Sequence, residues 1–218
     1  LVTGDVIDFI QILGNVLDLG VPSDATVSTA KIVDANVTLA KLSATGTKNS
    51  TTFLRGDNTF NAPPLGGITE ADQWRLTADI SNPSGDISSN LERVDDATFA
   101  KIGTGMTESS GIYTFPSTGL YLVTLITQTT AINDAAMVVT MQSSSNSGTS
   151  YDDIANSMSG IASGSINVTM SIGTFVNVTN ASTFRVKFAS SSFASGTLKG
   201  DTSKTETGFT FIRLGDSQ

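Results

Sequence analysis

The side chains that most often carry out chemistry in proteins are largely missing from this sequence. Its 218 residues include no histidine and no cysteine. Nucleophile systems that depend on these residues, zinc sites built from imidazole or thiolate, and disulfide or redox chemistry are therefore excluded. The 20 acidic residues remain, either as an acid and base pair or as oxygen ligands for a hard cation.

Two pairs of adjacent carboxylates are the candidates for such chemistry. Asp95-Asp96 and Asp152-Asp153 both lack the Asp-x-Asp-x-Asp-Gly spacing of a calcium loop. Glycoside hydrolysis needs two carboxylates that face each other at a defined separation, which no spacing in this sequence specifies. We interpret both pairs as solvated residues of turns or strand ends. The sequence therefore predicts no catalytic residue, no metal site and no cofactor.

The charge balance argues against negatively charged binding partners. Twelve basic residues against 20 acidic ones give a net charge of −8 at pH 7. Because nucleic-acid affinity depends on Lys and Arg side chains that neutralise phosphates, we expect no binding to nucleic acid or to an anionic membrane. No apolar run reaches the about 18 residues that a membrane span needs, so we predict no membrane insertion.

The sequence pattern changes near residue 66, from short repeats before it to alternating strand-like segments after it. Before it, the decapeptide SDATVSTAKI at 23–32 is followed by VDANVTLAKL at 33–42. A ten-residue unit has too little apolar surface to offset the entropy of ordering it, so the repeats must stack on neighbours or on other copies of the chain. We predict a connector or trimerisation region at 1–66 and a head at 67–218.

The apolar segment 6–21 at the start of the connector allows two interpretations. Gly14-Asn15 between two apolar runs suits a tight hairpin turn. A short helix is equally compatible, with a heptad of apolar residues at Val6, Ile10, Leu13 and Leu17. Both interpretations stay open, and in either case the segment is expected to pack against copies of itself.

The end of the connector, TTFLRGDNTFNAPP at 51–64, contains the triplet Arg55-Gly56-Asp57. An integrin-type recognition site is one interpretation, but three-residue matches are common and we favour a tight turn. The phrase FLRGDNTF, preceded by the decapeptides, resembles the connector regions of bacteriophage tail fibres, which lie just upstream of a C-terminal head. This resemblance implies a structural protein of the virion.

Apolar and polar residues alternate with a period of two along much of the head. The clearest case is SINVTMSIGTFVNVT at 165–179, and DQWRLTADI, TFRVKFA and GFTFIRL alternate similarly. Such alternation is typical of half-buried strands. The residues predicted to face the core are Trp74, Leu76, Ala78, Ile80, Ile166, Val168, Met170, Ile172, Val176, Val178, Phe184, Val186, Phe188, Phe209 and Phe211. Seven or eight such strands, with Gly/Ser/Asn-rich turns and no convincing helix, predict an all-β sandwich or jelly roll.

One strand, at 120–127, is apolar on both faces. Leu120, Leu122 and Ile126 lie on one face, and Tyr121, Val123 and Leu125 lie on the other. A strand of this kind needs cover on both sides. One side can be the core of the sandwich and the other a subunit interface, which makes a homo-oligomer the economical interpretation. A second internal layer would serve equally.

The stretch GIYTFPSTGLYLVTL at 111–125 resembles a phrase of the globular head of complement first component and the tumour-necrosis-factor superfamily. The residues that match it are Gly111, Tyr113, Phe115, Gly119 and Tyr121. The resemblance implies a ten-strand jelly roll that forms a homotrimer through its aromatic inner strands. From this resemblance we assign the trimer interface to Tyr113, Tyr121, Val123 and Leu125. The sequence departs from this family in its interior, where Ser, Thr, Ala and Met replace much of the aromatic content.

This topology implies that both termini of the head lie at one end of the sandwich. The connections near 131–134, 162–165 and 193–206 would then lie at the free end, where a recognition surface is expected. The longest connection carries the charges Lys199, Asp201 and Lys204. We assign receptor binding to these residues, against the alternative that they are only solvated.

Together these features predict a bacteriophage tail fibre without enzymatic activity. The connector would attach to other virion or tail proteins, and the homotrimeric head would bind a cell-surface glycan or protein receptor of the host from the outer side of the virion. Two alternatives are a tailspike-like glycan-degrading enzyme and a secreted recognition module of the complement-head type. The few aromatic residues argue against the first, and the missing Gly-x-y run and disulfides argue against the second.

Overall fold

The computed structural model describes residues 3–4, 27–63, 67–96 and 101–218, and all structural statements concern these residues. The chain divides into two compact units, Leu1–Gly66 and Gly67–Gln218. The segment 6–21, for which a hairpin and a helix are both open, lies outside the described residues. So does the beginning of the first decapeptide. Within the described part, no helix has both the length and the apolar character to cross a membrane.

The first unit contains little regular structure in its described part. Two single turns of 3-10 helix, Thr29–Lys31 and Leu39–Lys41, precede a hairpin of strands β1 (Phe53–Leu54) and β2 (Phe60–Asn61). The triplet at 55–57 lies in the turn of this hairpin, as the sequence predicts. Hydrogen bonds from the hydroxyl and the backbone N–H of Thr59 to Asp57 close the turn and lower the pKa of that carboxyl.

The second unit is a sandwich of two antiparallel sheets. Sheet A contains β3 (Ala71–Leu76), β4 (Ile80–Ser81), β6 (Leu91–Arg93), β9 (Gly119–Ile132), β12 (Ser165–Val178), β14 (Thr197–Leu198) and β15 (Gly208–Gly215). Sheet B contains β5 (Gly85–Asp86), β7 (Thr107–Ser109), β8 (Ile112–Thr114), β10 (Met137–Ser144), β11 (Asp152–Ser159) and β13 (Arg185–Ser191).

The long strand β9 organises sheet A. It pairs along its whole length with β12, from Gly119 opposite Val178 to Ile132 opposite Ser165. Its other edge pairs first with β15 and then with β14. Beyond β15 the sheet continues through β3 to β6, while sheet B has the order β11-β10-β13-β8-β7. The all-β sandwich predicted from the alternation is therefore present.

The core lies between the two sheets. Its centre is a group of aromatic rings whose neighbouring centroids are 4.7–6.3 Å apart, formed by Trp74, Tyr113, Phe188, Phe209 and Phe211. Edge-to-face and tilted contacts of this kind stabilise aromatic pairs beyond the burial of their surface. Most of the residues predicted to face inward do so, and those of β12 are buried from Met170 onward.

Three parts of the strand prediction differ from the structure. Ile166, at the loop end of β12, and Ala78, in the bend after β3, are exposed rather than buried. The predicted strand 72–80 stops at Leu76, because the chain bends over 77–79 before Ile80 starts β4 beside β14. Arg75, which lies on the face of the strand opposite Trp74 and Leu76, is buried as well.

Candidate functional site

The strand register separates the two ends of the sandwich. At one end, Gly119 at the start of β9 pairs with Val178 at the end of β12 and lies next to the C-terminal segment. At the other end, Ile132 at the end of β9 pairs with Ser165 at the start of β12. Hydrogen bonds at that second end join the connections 133–136, 160–164 and 192–196. These connections form the free end of the head, and of the predicted connection 193–206 only the part before β14 lies there.

One buried carboxylate holds this free end together. Asp134 accepts hydrogen bonds from the backbone N–H groups of Ile132 (3.2 Å), Ser195 (3.1 Å) and Ala194. Its own carbonyl oxygen accepts the N–H of Ile161 at 2.6 Å. A single residue therefore fixes all three connections. Burial by itself would raise the pKa of Asp134, but the backbone N–H groups of Ala194, Ile132, Ser195 and Gly196 together lower it below its ordinary value of 3.8.

Asn133 adds a second attachment at the free end. Its backbone N–H donates to the carbonyl oxygen of Gly164 at 3.0 Å, and its side-chain oxygen accepts the N–H of Gly164 at 2.8 Å. The residue has a φ of 52°, a left-handed conformation that asparagine tolerates better than most side chains. The free end is thus a surface of short loops anchored through backbone groups.

Replacing Asp134 by asparagine tests this anchoring. Asp134→Asn turns one acceptor oxygen into an NH2 group that faces backbone N–H donors, so we expect the free energy of unfolding at pH 7 to fall by about 1–3 kcal/mol. Because the native pKa lies below the unfolded one, the contribution of the carboxylate is complete above the unfolded pKa and is lost as pH falls through the native pKa.

The measurement is urea unfolding of wild type and variant between pH 7 and pH 2 at one protein concentration. The difference between the two proteins is expected to shrink once the pH drops below about 3.9. A difference that stays constant over the whole range would contradict the assigned role of the charged carboxylate.

The structure ties the predicted receptor-binding residues to the scaffold. Lys199 pairs with Asp79, and its backbone N–H bonds to Gln128 of β9 at 2.9 Å. The backbone N–H of Asp201 donates to Leu76 of β3 at 2.9 Å. The loop from 199 to 206 therefore lies along the side of sheet A, near the free end, and does not project beyond it.

The charges of this loop are paired within the chain. Lys204 contacts Glu206 at 2.6 Å and Asp201 at 3.8 Å. The hydrogen bond to Glu206 raises the pKa of Lys204, and hydrogen bonds from Ser203 lower the pKa of Asp201. Exposed pairs of this kind contribute little to stability and open easily to a competing ligand. The receptor contact assigned to Lys199, Asp201 and Lys204 stays a prediction.

The structure places the predicted trimer-interface residues in the core of a single chain. Tyr113, Tyr121, Val123 and Leu125 are buried between the sheets, where no partner copy can contact their side chains. Tyr121 also donates its hydroxyl to the carbonyl oxygen of Ser117 at 3.1 Å. Any subunit interface on β9 must therefore use the opposite face of the strand. The sequence shows two apolar faces but not which of them points inward.

That opposite face carries a row of apolar side chains across sheet A. Residues paired directly on neighbouring strands share a face of the sheet. The register aligns Phe175 with Leu122, Leu122 with Ile212, Ile212 with Ala71, and Ala71 with Ile102. We call these five residues the apolar row. Phe175 is 63% exposed, and Ile126 and Leu120 extend the apolar surface along β9.

The two longest strands that contribute to the apolar row carry no charged residue. Neither β9 nor β12 has a single Asp, Glu, Lys or Arg. Depletion of charged residues around exposed apolar side chains is the compositional signature of an interface core. Phe175 was missed in the sequence because it occupies a position of the polar face in the alternation of β12, and that break in the pattern is the signal that identifies it.

Two charged clusters lie at the edge of sheet A that β3 and β6 form. Arg75 is almost fully buried and contacts three carboxylates, Glu92 at 2.7 Å, Asp95 at 2.8 Å and Asp96 at 3.0 Å. Burial by itself would lower the pKa of Arg75, but the hydrogen bond to Glu92 and the nearby charges raise it. The pair at 95–96, predicted to be solvated, therefore has a structural contact.

The second cluster surrounds Asp72 on the core side of β3. Its carboxylate accepts hydrogen bonds from Trp74 Nε1 at 3.0 Å, from Arg93 Nε at 2.9 Å and from the backbone N–H of Met106 at 2.7 Å. The guanidinium of Arg93 also lies 4.8 Å from the ring centroid of Trp74. This cluster joins β3, β6 and the segment before β7.

A cleft of about 410 Å³ opens beside this cluster, between β6 and β7. Of the described residues that line it, only Glu108 carries a carboxylate, and that group accepts the N–H of Gly111 at 2.7 Å. The cleft therefore lacks the facing pair of carboxylates that glycoside hydrolysis uses. Elsewhere in the described residues, no group of three potential metal ligands is close enough to hold an ion.

Comparison with known proteins shows the fold. No protein-family model matches the chain, and no curated protein matches it. Among solved structures, Eiger TNF from S. frugiperda matches with a TM-score of 0.56 and 10% identity, covering 70% of this chain and 96% of that chain. Murine APRIL at pH 5.0 matches with a TM-score of 0.48 and 11% identity, covering 66% of this chain and 98% of that chain. The match to Eiger TNF shows that the sandwich is a jelly roll of the tumour-necrosis-factor type, as predicted.

Proposed function

We propose that the chain is a host-attachment protein of a bacteriophage tail fibre, without enzymatic activity, in which three copies form the working assembly. The observation that carries the three-copy assembly is the apolar row, with exposed residues Phe175 and Ile102 at its two ends, on a sandwich of the tumour-necrosis-factor type. Soluble proteins rarely leave a contiguous apolar surface uncovered. A second and third copy of the chain cover it in this proposal, as the family resemblance implies.

The two units have different tasks in this proposal. The connector binds other virion or tail proteins. The head binds the host receptor through Lys199, Asp201 and Lys204, on the loop beside sheet A near the free end. Three sites of modest affinity on one fibre tip bind together with an avidity far above that of one site. The location is the outside of the virion.

The assignment to a tail fibre rests on the connector. The phrase FLRGDNTF forms a tight hairpin in the first unit, and the described segments 28–32 and 38–42 of the decapeptides before it form the same 3-10 turn. Both features fit a segment that serves as a spacer upstream of a head. The receptor is a glycan or protein on the surface of the host cell.

The native mass tests the assembly. Three copies of this 22.6 kDa chain give an expected mass of roughly 68 kDa by native mass spectrometry. A species of one chain at micromolar concentration would contradict the proposal. Incubation with purified host surface glycan is expected to leave its chain length unchanged, and shortened chains would favour the glycan-degrading alternative.

Binding to host cells tests the predicted receptor residues. The double substitution Lys199→Ala and Lys204→Ala is expected to reduce binding of the labelled trimer at least about fivefold, since each exposed charge contributes modestly and three sites multiply the loss. Lys187→Ala is the control, because Lys187 pairs with Asp86 on sheet B, away from the loop. Equal binding of all three proteins would contradict the assignment.

A further inference from the structure

The cleft between β6 and β7 lies at one open side of the sandwich. β6 is the last strand of sheet A beyond β3, and β7 is the last strand of sheet B beyond β8. We call the space between them the edge cleft, and its lining includes Trp74, Arg93, Lys101, Thr104, Thr107 and Glu108. Its volume of about 410 Å³ is typical of ligand sites in proteins. None of these residues belongs to the loop 199–206 or to the apolar row.

The main donor of the edge cleft is held in place from behind. The guanidinium of Arg93 donates through Nε and Nη2 to the buried carboxylate of Asp72, and Nη2 also donates to the carbonyl oxygen of Met106 at 2.5 Å. The same group packs on the ring of Trp74. Its third nitrogen, Nη1, has no acceptor among the described residues, and the side chain is 33% exposed. A donor that is fixed before a ligand arrives loses little entropy on binding.

The acceptor of the edge cleft is the carboxylate of Glu108. One of its oxygens accepts the backbone N–H of Gly111 at 2.7 Å, and the other has no donor among the described residues. Gly111 has a φ of 80°, and a Cβ there would collide with the carbonyl oxygen of Ile87, so this turn excludes a side chain. The hydroxyls of Thr104 and Thr107 are likewise unpaired within the described part of the chain. The edge cleft therefore offers free donors and free acceptors together.

The charges around the edge cleft cancel. Arg93 is paired with Asp72, while Lys101 and Glu108 contribute one charge of each sign. The whole chain has a net charge of −8, which repels anions. A neutral ligand is therefore favoured over a phosphate or a carboxylate. A sugar is neutral, and each of its hydroxyls both donates and accepts, so it matches both kinds of free group.

We propose that the edge cleft binds one neutral sugar unit, with Glu108 accepting hydrogen bonds from its hydroxyls and with Arg93 and Lys101 donating to them. The sugar is bound and not cleaved, because Glu108 is the one carboxylate among the described lining residues and glycoside hydrolysis uses two. The site lies within a single chain. It therefore depends neither on the trimer nor on the assignment to a tail fibre.

The fluorescence of Trp74 tests binding directly, since the chain contains a single tryptophan. The 218-residue chain is titrated with the methyl glycosides of glucose, galactose, mannose and N-acetylglucosamine, and with N-acetylneuraminic acid as the anionic probe. At least one neutral glycoside is expected to change the emission saturably, with a Kd on the order of 1 mM or below. The proposal is overturned if no neutral glycoside gives a saturable change, or if the anionic probe binds more tightly than all of them.

Glu108→Gln tests whether the sugar lies in the edge cleft. The amide oxygen of this variant still accepts the N–H of Gly111, but an NH2 group replaces the free acceptor oxygen, so we expect the affinity to fall at least about tenfold. Asp153→Asn is the matched control and is expected to keep the wild-type Kd. Asp153 bonds to Gln142 and lies on β11, at the opposite edge of sheet B.

Lys101→Ala is a second variant, which removes an exposed donor of the edge cleft. We expect it to lower the affinity at least about threefold while its circular dichroism matches that of wild type. An unchanged Kd in both cleft variants would show that the sugar binds elsewhere and would contradict the proposal. These titrations use neither host cells nor the native mass, so a failure here is distinguishable from a failure of the proposed function.

Discussion

Phe175→Asp is expected to convert the assembly into single chains. Phe175 lies at one end of the apolar row, opposite Leu122, and is 63% exposed. A carboxylate placed in a subunit interface loses its hydration without gaining a partner, since β9 and β12 offer no cation. Three copies carry the change, so the penalty acts three times. Native mass spectrometry should then show 22.6 kDa instead of roughly 68 kDa.

Met158→Asp is the matched control for this experiment. Met158 is 66% exposed and lies on β11 of sheet B, so the substitution removes a similar apolar surface on the other sheet. We expect it to leave the trimer mass unchanged. Circular dichroism of both variants should match wild type, because neither side chain contributes to the core. A trimeric Phe175→Asp protein would show that the apolar row is not the interface.

Asp72→Ala is expected to produce the largest loss of stability in the head. The substitution removes an almost fully buried carboxylate that receives hydrogen bonds from Trp74, Arg93 and Met106. The indole N–H would be left without its acceptor, while the guanidinium of Arg93, which is 33% exposed, would keep only the carbonyl oxygen of Met106. Breaking a buried pair typically costs about 3–5 kcal/mol, and the partial exposure of Arg93 places the expected loss at the lower end of this range. Urea unfolding at one fixed protein concentration measures the effect, since the stability of an oligomer depends on concentration.

Two further variants make this result specific. Asp72→Asn keeps one acceptor oxygen and is expected to lose less stability than Asp72→Ala. Asp216→Ala removes a carboxylate that pairs with Arg213 at 2.7 Å but is 94% exposed, and it should cost less than about 1 kcal/mol. If Asp72→Ala and Asp216→Ala unfold at the same urea concentration, the buried network does not hold the sheet edges together.

The fold could be predicted from the sequence because long strands repeat their pattern many times. β12 alternates over fourteen residues, and the phrase at 111–125 matched a known type of head. The short strands were missed for the opposite reason. β4, β5 and β14 have two residues each, too few to show a period of two. The prediction of seven or eight strands therefore undercounts the thirteen of the described sandwich.

The candidate site could be predicted only in part. The positions of the free-end connections followed from the antiparallel order of strands, which the sequence supports. The role of Asp134 did not, because the N–H groups of Ala194 and Ser195, which it binds besides that of Ile132, come from residues about 60 positions later in the chain. Arg75 and Asp72 were missed similarly, since their partners lie 17 to 34 positions away and charged residues in a strand are normally solvated.

The anchoring of the free end through Asp134 has a consequence for evolution. The carboxylate binds the main-chain N–H groups of Ala194 and Ser195 and does not use their side chains, whereas a Cβ added at Gly196 would lie 2.8 Å from the carboxylate itself. Substitutions at 194 and 195 therefore alter the outward surface while the loops keep their attachment. In the host-attachment role that we propose, the receptor specificity can thus change one residue at a time at these two positions without rebuilding the scaffold.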